Sequence, residues 1–218
     1  MDDSLRSSAL AARAELQRGA LRGAALLERL LTIPFLDRDG WTDVLLGLEE
    51  PPADAPDLPR GAVPYLPSGV EEILATVREV PLRSDDQLVD VGSGLGRVLM
   101  LAHLLSGARG LGVELQPQLV ASARARCAEL GLDGVTFLHA DAADTALDGS
   151  VFFLYAPCNG ELLARVLGRV EEVARRRPIV VCTVDLALAA VPWLSARDTK
   201  SVSLTIYDSC VAGVPARV

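Results

Sequence analysis

From residue 87 onward, short unbroken apolar runs alternate with longer stretches in which apolar residues recur every three or four positions. The runs at 87–91, 110–114, 135–139, 151–155 and 179–183 have the length and β-branched content of buried strands. Between them, Val98, Leu101, Ala102 and Leu105, then residues 117–130, then Leu162, Val166, Val170 and Val173 trace helical stripes, the first opening at Gly94. Five such strands interleaved with helices predict a mostly parallel sheet covered on both faces. Two more extended stretches, 193–198 and 202–208, have no helix between them and predict an antiparallel hairpin at the sheet edge.

The chain before this is of another kind. Residues 4–31 are rich in Ala, Leu and Arg, with Leu16, Ala20, Leu27 and Leu31 near helical spacing, and predict an amphipathic helix broken at Gly19 or Gly23. Its apolar face must cover something, as a lid over a cleft or as an interface between two copies of the chain. Asp2, Asp3, Glu15 and Glu28 set it apart from an acid-poor targeting helix. Six prolines between Pro51 and Pro67 remove backbone donors and predict an irregular linker. Beyond it, Ser68 is placed to cap a helix carrying Val70, Ile73, Leu74 and Val77, closed by Pro81. The expected organisation is therefore an arm and linker over 1–60 and a sheet domain over 61–218.

Composition narrows the function classes. The longest apolar stretches, such as 98–105, fall short of the roughly 18 residues that cross a bilayer, and no basic-then-apolar leader opens the chain, so neither a membrane span nor secretion is expected. Cys127, Cys158, Cys182 and Cys210 show no metal-ligand spacing and no disulfide framework, which predicts thiols in a reducing, cytoplasmic compartment and no metal. A net charge of −8 with pI ≈ 4.8 argues against non-specific binding of nucleic-acid phosphates.

The candidate chemistry sits where strand gives way to helix. Leu88-Val89-Asp90-Val91-Gly92-Ser93-Gly94-Leu95-Gly96 leaves a buried strand, and its glycines permit a tight turn and close approach of a ligand to the backbone. The spacing is GxGxG, one residue short of the dinucleotide fingerprint GxGxxG. Glu114 ends the next strand, 24 residues after Asp90, where a doubly wound fold places a carboxylate that accepts from ribose hydroxyls. Its charge disfavours a 2′-phosphate there. Asp141, just past the third strand, borders the same crevice and can accept from an exocyclic amine of adenine.

In these residues the chain resembles the class I S-adenosylmethionine-dependent methyltransferases over about 61–218. Asp90 to Gly96 looks like their first motif, Glu114 like their ribose acid and Asp141 like their adenine contact. The resemblance implies a doubly wound, Rossmann-like seven-stranded α/β sheet, S-adenosylmethionine as cofactor, and Asp90, Gly92, Gly94, Gly96, Glu114 and Asp141 as its site. Asp90 would hold the methionine ammonium, and amides at the start of the helix near Gly94 its carboxylate. A narrower resemblance, carried by Pro64-Tyr65-Leu66-Pro67, Gly112-Val113-Glu114-Leu115-Gln116-Pro117 and Ile206-Tyr207-Asp208, is to small protein-lysine methyltransferases acting on the ATP synthase c-subunit, and more distantly to non-SET histone-core lysine methyltransferases. It adds Tyr65 to the cofactor site and implies a protein lysine as acceptor, with a small-molecule acceptor as the alternative within enzymes.

These enzymes place the acceptor where this chain has Tyr155-Ala156-Pro157-Cys158-Asn159. This is not the (Asp/Asn)-Pro-Pro-(Tyr/Phe) motif of amide and base methyltransferases. The Tyr155 hydroxyl and the Asn159 amide can accept from an amine and aim its lone pair, so both are candidate catalytic residues. His139 reads as a strand-end residue, His103 as a structural one, and Arg175, Arg176 and Arg177 as a solvated helix end. A nicotinamide enzyme and a non-catalytic nucleotide-binding module are the competing classes.

Overall fold

The computed structural model describes residues 1–188 and 190–214, so the last four residues of the expected sheet domain lie outside it. In chain order the helices are α1 (Asp3–Gln17), α2 (Gly23–Thr32), α3 (Arg38–Leu46), α4 (Val70–Glu79), α5 (Arg97–Ser106), α6 (Pro117–Leu130) and α7 (Gly160–Ala174), with a 3-10 turn at Phe35–Asp37. The strands are β1 (Gln87–Val91), β2 (Arg109–Glu114), β3 (Val135–His139), β4 (Val151–Tyr155), β5 (Val180–Val184), β6 (Leu194–Arg197) and β7 (Leu204–Ser209).

They form one seven-stranded sheet in the order β3-β2-β1-β4-β5-β7-β6. The first five strands are parallel, and β7 runs antiparallel to both β5 and β6, which is the expected edge hairpin. Strand order reverses between β1 and β4, and in such sheets the crevice beyond the carboxyl ends of the strands at that point takes the ligand. This is a doubly wound, Rossmann-like seven-stranded α/β sheet.

Strands β4 and β5 are almost wholly buried, because helices cover both faces of the sheet and an unbroken apolar run is what two covered faces require. On one face α7 presents Leu162, Val166, Val170 and Val173. On the other, α4, α5 and α6 share a cluster with the N-terminal helices, to which the latter contribute Leu16, Leu26, Leu30 and the fully buried Trp41. The arm thus packs onto α5 and α6, and none of residues 1–50 lines the cleft described below.

Four local features differ from expectation. The arm breaks across both Gly19 (φ 74°) and Gly23 (φ 54°), not at one of them. A third arm helix, α3, has no clear signature in the periodicity; it ends on Gly47 in the left-handed conformation. The α4 cap is Gly69 rather than Ser68, and the orphan amide of Val70 donates instead to Asp39 Oδ1 of α3 at 2.7 Å. Finally, α5 begins at Arg97 rather than Gly94, because Gly96 (φ 81°) still belongs to the turn.

Candidate active site

Beyond the carboxyl ends of β1, β2 and β4 lie two joined cavities, with Tyr65, Leu66, Gly92 and Tyr155 in the wall of both. The larger, ≈ 750 Å³, runs from Glu114, Leu115 and Gln116 past Ala140, Asp141 and Ala142 to Pro157 and Cys158. The smaller, ≈ 320 Å³, is bounded by Ser68, Asp90, Ser93 and Arg97. One wall of the larger cavity is the proline-rich segment, through Leu58 and Ala62 to Leu66.

The glycine turn is built from the sheet outward. The Gly92 and Ser93 amides donate to the Val113 carbonyl at 2.8 and 3.3 Å, which folds the turn onto β2. A Cβ at Gly96 would run into the Phe137 ring, and one at Gly94 into the Tyr65 ring. Gly96 is therefore needed for packing on β3, whereas Gly94 is needed on the ligand side, where Tyr65 now lies.

Glu114, 7% exposed, accepts from the Gly94 amide through Oε2 and from the Gln116 amide through Oε1, both at 2.9 Å. Each carboxylate oxygen retains a lone pair for a further donor, as a ribose hydroxyl requires. Asp90 is 3% exposed and, among the described residues, its carboxyl accepts no hydrogen bond. Burial first, and the neighbouring Glu114 charge second, push its pKa up to about 8. A buried carboxyl without a partner is costly and calls for a cationic donor from outside the chain.

Asp141 borders the larger cavity and forms an Asx turn, its Oδ1 accepting from the Ala143 amide at 2.8 Å. The Tyr65 hydroxyl is raised to about 12, mainly by burial, with Arg97 opposing and Asp43, Asp90 and Glu114 adding. Tyr155 is half-buried at the end of β4, its pKa raised by burial, then by Asp185 and Glu72. Asn159 is placed differently from Tyr155: it is exposed, precedes α7 and lines neither cavity, and its backbone amide donates to the Gly61 carbonyl at 2.9 Å.

Within the turn, the amides of Gly92, Ser93, Gly94 and Gly96 donate inside the protein, the last to the Ser93 carbonyl at 2.8 Å, which leaves the Leu95 amide and those of the first turn of α5 as the backbone donors for a ligand carboxylate.

The contacts that hold the wall of the cleft are not signalled in the sequence. Asp54 Oδ1 accepts from the Tyr65 amide at 3.0 Å and from Gln116 Nε2 at 2.7 Å, while Gln116 Oε1 accepts from the Ala55 amide at 2.6 Å. On the other side the Val63 amide donates to the Pro157 carbonyl at 3.1 Å. The proline-rich segment is thus a strap fastened to the turn between β2 and α6 and to the loop after β4. Gln116 belongs to the Gly112–Pro117 stretch, but nothing local signals its partner Asp54, 62 residues earlier.

Residues 88–177 match the family description Methyltransferase domain. The chain carries a class I, S-adenosylmethionine-dependent methyltransferase domain. An RNA methyltransferase from Salinibacter ruber, solved with S-adenosyl-L-homocysteine, is 26% identical, with a TM-score of 0.53 over 66% of this chain and 92% of its own. Two further structures show the fold alone. One is the putative methyltransferase yhhF from Escherichia coli (16% identity, TM-score 0.53, 70% of this chain and 88% of its own). The other is an S-adenosylmethionine-dependent methyltransferase from Aquifex aeolicus (14%, 0.51, 63% and 88%). No curated protein sequence matches the chain. For this methyltransferase the nicotinamide and non-catalytic alternatives fall away. No helix among the described residues is long and apolar enough to cross a membrane.

Proposed function

We propose that the methyltransferase lays S-adenosylmethionine along the joined cavities and delivers the methyl group to a protein lysine amine presented beside Tyr155, in the cytoplasm. Asp141 then faces adenine, Glu114 the ribose hydroxyls and Asp90 the methionine ammonium. When bound, the cofactor supplies a methyl group already activated on a sulfonium. What this chain's residues contribute is alignment and the exclusion of water, and no obligatory acid-base pair is needed.

The observation that carries the acceptor reading is the acidic surround of Tyr155. Asp185 follows β5, and its amide donates to the Ser203 carbonyl at 3.2 Å; Glu72 on α4 accepts from Ser203 Oγ at 2.7 Å. Burial first, and then both of these charges, hold the Tyr155 pKa above its ordinary value. Their field attracts a cationic side chain, and the Tyr155 oxygen accepts from the amine once it has lost a proton. A lysine amine has an ordinary pKa of about 10.4, which partial desolvation lowers.

A second reading, methylation of RNA, has the Salinibacter enzyme behind it and the net charge of −8 against it. Pairing of two chains through the arm would use its exposed Leu31, Phe35 and Leu36.

The test is to incubate the methyltransferase with methyl-labelled S-adenosylmethionine and a lysate of its source organism, then digest portions with protease or ribonuclease. Label that protease releases, and that hydrolysis yields as methyllysine, is expected. Ribonuclease-sensitive label would move the reading to RNA, and label confined to small molecules would move it to a metabolite.

A further inference from the structure

S-adenosylmethionine carries its methyl group on the sulfur that joins an adenosine part to an amino-acid part. Laid along the two joined cavities, it has that sulfur at their junction, so the residues in the wall of both cavities surround the place from which an acceptor takes the methyl group. They are Tyr65, Leu66, Gly92 and Tyr155. Gly92 offers no side chain, and Tyr65 packs on the core cluster with its ring against Gly94. Tyr155 is half-buried on the same cluster. Leu66 is the exception, an apolar side chain that is 61% exposed.

The backbone holds Leu66 in that position. It stands between Pro64 and Pro67, and a residue that precedes proline is confined to extended conformations. The chain is pinned on either side of it: the Tyr65 amide donates to Asp54 Oδ1 at 3.0 Å, and the Ser68 carbonyl accepts from Arg97 at 2.8 Å. Charge at the same end of the sheet comes from other elements. Val184 pairs with Tyr155 on one side and with Leu204 on the other, and Asp185, the next residue, donates its amide to the Ser203 carbonyl at 3.2 Å. Ser203 Oγ in turn donates to Glu72 of α4 at 2.7 Å. An apolar contact on the strap and two carboxylates beyond the strand ends match an amine carried on a chain of methylenes, which has an apolar body and a charged tip.

We infer that Leu66 is the specificity-determining residue of the acceptor site, covering the methylene stem of the incoming side chain while the Tyr155 hydroxyl aims its amine. This inference rests on the reading of the site given above and adds how a lysine is told from a shorter amine there. Each methylene that Leu66 takes out of water strengthens binding, by up to about fourfold when it is fully covered. A bare ammonium group or a one-carbon amine has the charge but leaves Leu66 uncovered.

The test is a ligand-observed NMR titration of the full chain saturated with S-adenosylhomocysteine, which permits no turnover, with ethylamine, propylamine, butylamine and pentylamine as probes. All four are protonated at neutral pH, so only the stem varies. Wild-type affinity is expected to rise about two- to fourfold with each methylene. The same rank order is expected when the amines compete with proteins of the source lysate for methyl transfer from S-adenosylmethionine. Leu66→Ser should flatten the series, and Leu66→Met, which stays apolar, should keep it. The slope is a ratio within one protein, so a variant with weaker overall binding still reports it. A flat wild-type series overturns the inference without recourse to any variant. So does a Leu66→Ser protein with the wild-type slope, and so do amines that bind without competing. A steep, Leu66-dependent series with no methyllysine formed in the lysate proteins would instead overturn the protein-lysine reading.

Discussion

The two sides of the cleft are made differently. On the β1–β2 side, Asp90, the glycine turn and Glu114 lie within 25 residues and are joined by backbone amides donating to Val113 and Glu114. On the strap and arm side, side chains reach across the chain: Asp54 to Gln116, Asp39 to Val70, Asp43 to Arg97. The first kind of construction depends on local backbone shape and tolerates little change in spacing. The second depends on tertiary packing, so its residues are free to differ among proteins that share the first. Cofactor chemistry belongs to the local side, and what distinguishes this chain belongs to the distant one.

The largest expected effect tests whether the arm is core or appendage. Trp41→Ala empties a fully buried site in the cluster that the arm shares with α5 and α6, and should cost about 3–5 kcal/mol in chemical denaturation. Separate unfolding of arm and sheet domain would break the comparison, because the distant side would then not be part of one cooperative unit.

Asp90→Asn probes the local side. Loss of a charged partner should weaken S-adenosylhomocysteine binding about ten- to a hundredfold by calorimetry. Its effect on stability should have the opposite sign. The raised pKa means that the folded state keeps a proton which the unfolded chain gives up, so this group's contribution is full below about pH 4 and is lost as pH rises to about 8. Thermal melts of the wild type should therefore fall across that window more than those of the Asn variant. Wild-type cofactor affinity should rise toward about pH 8 as Asp90 ionises, and the variant's should not.

Tyr155→Phe removes the hydroxyl proposed to aim the acceptor. Single-turnover methyl transfer should slow by about tenfold or more, while calorimetric cofactor affinity stays the same. A shift in cofactor affinity alone would place Tyr155 on the other side of the comparison. Smallest is Asp54→Ala, which frees the Tyr65 amide and Gln116 Nε2. Affinity should fall only severalfold, and limited proteolysis should begin within 51–67.

What can be read from the sequence follows the same division. The strands, the sheet class, the edge hairpin and the placement of Asp90 and Glu114 at the cleft follow from period, length and turn chemistry, which act over a few residues. Helix α3 is hidden because Gly40 and four charged residues from Asp37 to Asp43 blur its short stripe of Trp41, Val44 and Leu45. Local grounds favour Ser68 as the α4 cap, but tertiary contact with Asp39 supplies the acceptor. Asn159 has the residue type for aiming an amine, yet the turn at Pro157 carries it to the strap side. The prolines mark 51–67 as irregular, and an irregular segment reads as a linker; the fastened strap depends on Gln116, which no local rule pairs with Asp54.

That strap carries a kinetic consequence. Fastened at Gln116 on one side and at Pro157 on the other, with Tyr65 lying on Gly94, it makes a loop of chain through which an adenosine-sized molecule must pass in and out. Exchange then waits on the breaking of several hydrogen bonds at once, and residence time becomes long compared with a methyl transfer that needs only alignment. Steady-state turnover would be set by departure of the demethylated product, and rapid-quench experiments should show a first turnover faster than those that follow.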